Sequence, residues 1–282
     1  MLSESKKIKL SDGVELHAEV SEVGAKKWIV CVHGIGEHLG RHKYIKKIVG
    51  QKFNVLQFDL RGHGKSQGVR GNIDKFETYL NDTVEVINYL IKEYRMESYV
   101  FFGHSMGALI AAGVIQDKLE NTLYPELIYL SAPPVEVAGI LGEVVSKIPR
   151  GLISKLVDLP SIPIGGLMDL NGLSHDPKVI EDYINDPLCI LKLHTHLLVE
   201  LVNSSKKIFS KPLHPKVKSF VSVGSEDGVV SYKYLKKYFK DVEKDFVLKE
   251  FMGARHEVHN EIDKYKLPYL DYLRDCLLSV YM

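Results

Sequence analysis

A serine between two glycines is the clearest candidate for nucleophilic chemistry. The segment Gly103–Gly107, GHSMG, matches G-x-S-x-G and lies between a strand-forming run and a helical run. A sharp strand-to-helix turn of this kind strains the serine backbone and leaves room only for glycine at the flanking sites. We therefore expect Ser105 Oγ to stand exposed above a sheet. The amide of Met106, at the start of the helix, would then supply half of an oxyanion hole.

A serine hydroxyl needs a general base and an orienting carboxylate to react at neutral pH. In a strand-turn-helix context of this type, the chain order is serine, acid, histidine. Asp227 follows one strand-like segment and His256 follows the next. Glu226 competes with Asp227 for the role of the acid, and His259 competes with His256 for the role of the base.

Two glycine-containing loops precede the serine. VHGIGEH follows a predicted strand, and we assign its Ile35 amide as the second oxyanion donor. DLRGHGKSQG, residues 59–68, lacks the spacing of a phosphate-binding P-loop, so we interpret it as a structural turn. His104 lies within the serine turn itself, and we expect it to pack beside Ser105 and point away from it.

The segments that must position these residues alternate between apolar strands and amphipathic helices. Two short strands open the chain; WIVCV, NVLQFDL, SYVFFG, ELIYLSAP and KSFVSVG predict further strands, and residues 74–94 and MGALIAAGVIQDKL predict helices. This alternation is typical of βα units and a largely parallel sheet.

The alternation stops after Pro134 and resumes near residue 216. Aliphatic helical segments separated by prolines and glycines occupy the interval. The sequence therefore predicts an α/β core of residues 1–134 and 216–282, with a helical cap inserted at 135–215. Residues 140–157 of the cap hold more Ile, Leu and Val than one packed helix face needs. That surplus fits an acyl tunnel or peripheral contact with a lipid surface.

Composition excludes several classes of function. The chain has 282 residues and a formal net charge of +1, which gives no reason to expect a nucleic-acid partner. No apolar run reaches the length of a membrane span, and the N-terminus lacks the apolar region of a signal peptide. Cys31, Cys189 and Cys276 form no CxxC pair, which argues against a zinc site and favours the reducing cytoplasm. We expect neither a metal nor a cofactor.

Six segments, in this order, resemble the monoglyceride lipase and lysophospholipase branch of the α/β-hydrolase fold family: HGIGEHLGRHKY, FDLRGHGKSQGVRG, GHSMGA, DPKVIEDYINDPL, GSEDGVV and HEVHNE. The resemblance covers nearly the whole chain and is weakest in residues 135–173. It implies a mostly parallel, eight-stranded-type sheet flanked by helices, with a cap. It also implies Ser105, Asp227 and His256 as a catalytic triad.

The resemblance further implies a polar subsite. In monoglyceride lipases, the positions that match Glu37, Arg41, Tyr183 and His259 line the pocket end that holds glycerol. A structural role is the alternative for these residues, since Glu37 and Arg41 can pair to stabilise their loop and Tyr183 can pack in the cap. Val230 departs from the animal enzymes, which have a cysteine at that position.

The expected function is hydrolysis of a small lipid ester, monoacylglycerol, to glycerol and a fatty acid through an acyl-enzyme. Lysophospholipase and generic carboxylesterase activities are the alternatives. A related proline-releasing peptidase would carry a different glycine-rich loop in place of HGIGEH. A binding protein without enzymatic activity would more often have lost a triad residue, whereas this chain retains all three candidates.

Overall fold

An eight-stranded sheet forms the centre of the molecule. The computed structural model describes residues 3–120, 122–138, 160–166 and 169–282. Its strands are β1 Glu4–Lys9, β2 Glu15–Ser21, β3 Trp28–Val32, β4 Asn54–Phe58, β5 Tyr99–His104, β6 Leu127–Ser131, β7 Pro163–Gly165, β8 Lys192–His194, β9 Lys218–Gly224 and β10 Phe246–Phe251. The central sheet has the order β1-β2-β4-β3-β5-β6-β9-β10. Only β2 pairs antiparallel to its neighbours, β1 and β4. The prediction of a mostly parallel sheet is confirmed.

Helices cover both faces of this sheet. In the described ranges they are α1 Tyr44–Val49, α2 Glu77–Tyr94, α3 Met106–Asp117, α4 Pro177–Asn185, α5 Thr195–Ile208, α6 Tyr232–Lys237 and α7 Asp263–Leu278. Helix α2 begins three residues after its predicted start at Asp74. The amide of Phe76, at its N-terminus, donates to the Glu200 carboxylate of α5 at 2.7 Å, so a distant side chain satisfies an amide that the helix leaves free.

Two apolar layers hold the helices on the sheet. In β5, Phe101 packs into the layer shared with α2 and α3, and the next residue, Phe102, packs into the layer shared with α1 and α7. Successive strand residues point to opposite faces, and a sheet covered on both faces buries both sets. Every residue of β3, β4, β5 and β6 is accordingly buried.

The described part of the predicted cap contains strands as well as helices. β7 and β8 pair antiparallel as a separate two-stranded sheet. The helix expected over LKLHTHLLVELVNSS therefore begins only at Thr195, because residues 192–194 are used in the pair. Leu197 and Leu201 of α5 then pack into the same apolar layer as α3.

The structure does not test every prediction for the cap at residues 135–215. The aliphatic segment at 140–157 lies outside the described residues, so the cap boundaries at 135 and 215 and the contact of the cap with lipid remain predictions. No helix in the described ranges is both long enough and apolar enough to cross a bilayer. Cys31, Cys189 and Cys276 are buried free thiols.

Candidate active site

The carboxyl ends of four parallel strands bring the candidate residues to one edge of the sheet. Ile35 lies in the loop after β3, and Ser105 directly follows β5. Asp227 lies shortly after β9, and His256 lies shortly after β10. Loops at the carboxyl edge of a parallel sheet are the usual place for ligands in folds of this class. Residues far apart in the chain therefore meet because β3, β5, β9 and β10 lie close together in one sheet, with only β6 between β5 and β9.

Ser105 occupies the strained turn that its motif predicts. Its backbone has φ 51° and ψ −121°, a region that costs a residue with a side chain free energy. The flanking glycines allow close approach: a Cβ on Gly103 would lie 2.4 Å from the carbonyl oxygen of Gly107, and one on Gly107 would lie 2.2 Å from that of Val32. Any larger residue at either position would push β5, α3 and β3 apart.

Ser105, His256 and Asp227 form a continuous hydrogen-bonded chain. His256 Nε2 lies 3.0 Å from Ser105 Oγ, and His256 Nδ1 lies 2.7 Å from Asp227 Oδ2. The other carboxylate oxygen, Oδ1, accepts the amides of Val229 and Val230 at 2.8 and 2.9 Å. The carboxylate is thus fixed by its own turn. This geometry can deprotonate the serine and stabilise the resulting imidazolium.

The two competing residues lie elsewhere. The Glu226 side chain is 61% exposed and pairs with His175 at 3.5 Å, so it faces away from His256. Both ring nitrogens of His259 are buried without a hydrogen-bond partner among the described residues. Its ring lies 4.7 Å from that of Tyr44 and 4.9 Å from that of His104, measured between centroids.

A small covered cavity lies above Ser105. Its volume is about 20 Å³, room for roughly one water molecule. The described walls are Gly34, Ile35, Glu37, His104, Ser105, Leu173, Tyr183, Val229, His256 and Glu257. Ser105 is only 5% exposed, so the expectation of an exposed hydroxyl is wrong. The reason is that Leu173, Tyr183 and Val229, which come from outside the strand-turn-helix unit, cover it.

Two backbone amides are available for a developing negative charge. Met106 is the first residue of α3, where helix amides point outward without partners inside the helix. Ile35 lies in the cavity wall. Neither amide donates to a backbone or side-chain acceptor within the described part of the chain.

Of the four residues expected at the polar subsite, Glu37 and Tyr183 line the cavity, whereas Arg41 and His259 do not. Glu37 Oε1 accepts from the Gly34 amide at 2.5 Å and from His42 Nε2 at 2.8 Å. Burial opposes ionisation of Glu37, but the neighbouring His42, His104 and Arg41 outweigh it and hold its pKa well below the usual range. Glu37 is therefore a buried carboxylate in its charged form.

Glu257 is a cavity residue that the sequence analysis missed. Its Oε2 accepts from Arg41 Nη2, and it accepts from Asn260 Nδ2 at 2.7 Å. Arg41 also lies under the Tyr183 ring, 4.9 Å from its centroid. The signal for Glu257 was its position directly after His256. His104 also lines the cavity, and its Nδ1 lies 3.2 Å from Ser131 Oγ.

As the pH is lowered, we expect activity to be lost at a higher pH than the usual pKa of histidine would give. Burial lowers the pKa of His256, but attraction and hydrogen bonding to Asp227 outweigh it, so the pKa is raised overall. The base must be neutral, so kcat/KM should decline tenfold per pH unit below a midpoint above about 6.5. A pH profile of kcat/KM measures this midpoint, and a midpoint below 6 would contradict the Asp227 contact in solution.

Comparison with known proteins extends over most of the chain. A family model described as serine aminopeptidase, S33, matches residues 24–263. Human monoglyceride lipase is 26% identical over 245 residues, which cover 85% of this chain and 78% of the human protein. The crystal structure of a Paleococcus ferrophilus monoacylglycerol lipase has a TM-score of 0.79 and 25% identity, covering 94% of this chain and 99% of that one. A Dictyostelium discoideum abhydrolase domain-containing protein is 26% identical over 240 residues, and the match covers only 25% of that protein.

Proposed function

We propose that this chain, which belongs to the serine aminopeptidase S33 family of α/β-hydrolases, cleaves monoacylglycerol to glycerol and a fatty acid. The family and the fold identify it as a serine hydrolase that acts on esters. The observation that carries the proposed chemistry is the hydrogen-bonded chain from Ser105 Oγ through His256 to Asp227, at 3.0 and 2.7 Å. The similarity of the chain to monoglyceride lipases supports monoacylglycerol as the substrate.

The proposed reaction has two steps. Ser105 Oγ attacks the ester carbonyl while His256 takes the hydroxyl proton, and Asp227 holds the imidazole and stabilises its cation. The amides of Met106 and Ile35 stabilise the oxyanion, and each such donor is typically worth about 100- to 1000-fold in rate. His256 then gives its proton to the departing glycerol oxygen. Water enters, His256 deprotonates it, and attack on the acyl-enzyme releases the fatty acid as His256 returns the proton to Ser105 Oγ.

Unsatisfied polar atoms support a leaving group with hydroxyls. Glu37 Oε2 and Tyr183 Oη are buried without a hydrogen-bond partner among the described residues, and both residues line the cavity. A buried polar atom without a partner costs free energy, so such atoms commonly bind water or a ligand. Glycerol offers two free hydroxyls beside the ester oxygen. A leaving group without hydroxyls would leave both atoms unsatisfied.

The buried thiols support a cytoplasmic location. Cys31, Cys189 and Cys276 are unpaired, and unpaired thiols are most common in reducing compartments. Fractionation of the cells that express the chain would test this proposal.

A substrate panel tests the proposed function. We would measure kcat/KM for 1- and 2-monoacylglycerols of several chain lengths, lysophosphatidylcholines of matched chain length, short p-nitrophenyl esters and aminoacyl p-nitroanilides. Ser105→Ala protein is the control for background hydrolysis. We expect monoacylglycerols to have the highest kcat/KM.

Other outcomes would replace the proposal with a specific alternative. Preference for lysophosphatidylcholine would indicate a lysophospholipase. Cleavage of short aryl esters alone would indicate a generic carboxylesterase. Cleavage of the p-nitroanilides alone would indicate an aminopeptidase, which the family description also covers.

A further inference from the structure

The cavity beside Ser105 has acidic walls. Glu37 and Glu257 both line it, and its described walls contain no lysine or arginine. Each of these glutamates is only 3% exposed. The two come from distant parts of the chain, the loop after β3 and the segment after β10. Two acidic residues therefore line the space next to Ser105.

The Arg41 guanidinium, next to this cavity, is paired with two carboxylates. Arg41 Nη2 donates to Glu257, Arg41 Nε lies 3.4 Å from Glu37 Oε2, and the Tyr183 ring covers one face at 4.9 Å. Burial lowers the pKa of Arg41, but the two carboxylates outweigh it and raise that pKa, so the cation is stable. Two carboxylates therefore balance its positive charge, although Arg41 Nε forms no hydrogen bond among the described residues.

Two of the neighbouring histidines, His104 and His259, have lowered pKa values. Burial lowers the pKa of His104 well below its usual value, and the nearby His256 and His42 lower it further. Burial and the nearby His104 and His42 do the same for the pKa of His259. Both rings are therefore neutral near pH 7. Asn260 Nδ2 holds the Glu257 carboxylate from another side, at 2.7 Å, so this group has a fixed orientation.

We propose that Glu257 determines head-group specificity, because it pairs with Arg41 and places a carboxylate in the cavity wall. The site therefore accepts neutral polyol esters and rejects esters that carry a phosphate. The proposal rests on the proposed function, because it concerns the leaving group of that reaction. Opposed like charges without solvent between them are an effective means of rejecting a wrong ligand. Arginine would otherwise be a strong phosphate binder.

Matched esters test this role. We would measure kcat/KM for 1-butyrylglycerol and for 1-butyrylglycerol 3-phosphate, which share the acyl group and differ in charge. Wild-type protein should prefer the neutral ester at least a hundredfold. Glu257→Gln keeps the shape but removes the charge, and should raise the phosphate-to-neutral ratio at least tenfold. Glu226→Gln removes an equal charge from an exposed side chain next to Asp227. It should leave the phosphate-to-neutral ratio of kcat/KM within twofold of wild type.

A second readout keeps this inference separate from the proposed function. Glycerol and glycerol 3-phosphate are tested as inhibitors of p-nitrophenyl butyrate hydrolysis, which needs no glycerol ester to be cleaved. Glycerol should inhibit wild-type protein at lower concentration than glycerol 3-phosphate does. If neither butyrylglycerol is cleaved, the proposed function fails, and the inhibition constants still decide the inference. Equal or tighter binding of the phosphate, or an unchanged ratio in a folded Glu257→Gln protein, would overturn it.

Discussion

Ser105→Ala should reduce kcat by about a million-fold while leaving the fold intact. The hydroxyl is the proposed nucleophile, and His256 Nε2 lies 3.0 Å from it, so the variant cannot form the acyl-enzyme. Alanine tolerates the strained backbone about as well as serine does. We would measure hydrolysis of a monoacylglycerol or a p-nitrophenyl ester at high enzyme concentration, together with circular dichroism and thermal unfolding.

The control for this prediction is the unfolding transition itself. A Ser105→Ala protein that unfolds at the same temperature as wild type and retains more than a hundredth of its activity would remove Ser105 from the nucleophile role. A protein that has lost both activity and its cooperative transition would call for Ser105→Cys, which keeps a side chain of similar shape. That variant should stay folded and lose most of its esterase activity.

Asp227→Asn should reduce kcat by about ten-thousand-fold. The structure gives a specific reason. Asp227 Oδ1 accepts the amides of Val229 and Val230, so the single acceptor oxygen of asparagine must stay there. Its NH₂ group would then face His256 Nδ1 and donate to it. The ring proton would move to Nε2, where it points at Ser105, and the histidine could no longer accept the serine proton.

Glu226→Gln is the matched control for Asp227→Asn. The Glu226 side chain is 61% exposed and pairs with His175, so its loss should change kcat less than twofold. Kinetics of both variants on one ester substrate compare the two adjacent acids directly. If Glu226→Gln has the larger effect, the acid has been assigned to the wrong residue.

Local sequence patterns predicted most of the sheet but could not choose between some neighbours. The strands β3 to β6 are short, mostly apolar runs, and burial on both faces favours that composition. Asp227 and Glu226 are both acidic residues in one turn. Only Asp227 accepts the turn amides and also contacts His256, and this choice depends on the folded backbone.

Other features had no local signal. The β7–β8 pair uses only three residues from each strand, too few for a periodic pattern. The Arg41–Glu257 ion pair joins residues 216 positions apart, so its existence depends on the meeting of the loops after β3 and β10. The cover over Ser105 likewise comes from Leu173, Tyr183 and Val229, which are remote from the serine turn.

The most direct test of Ser105 as the nucleophile of a monoacylglycerol hydrolase is labelling with a fluorophosphonate, followed by peptide mass spectrometry, with and without excess 1-monoacylglycerol. We expect one labelled site, at Ser105, and slower labelling when the lipid is present. A label on another residue, or a folded protein in which Ser105 stays unlabelled, would contradict it.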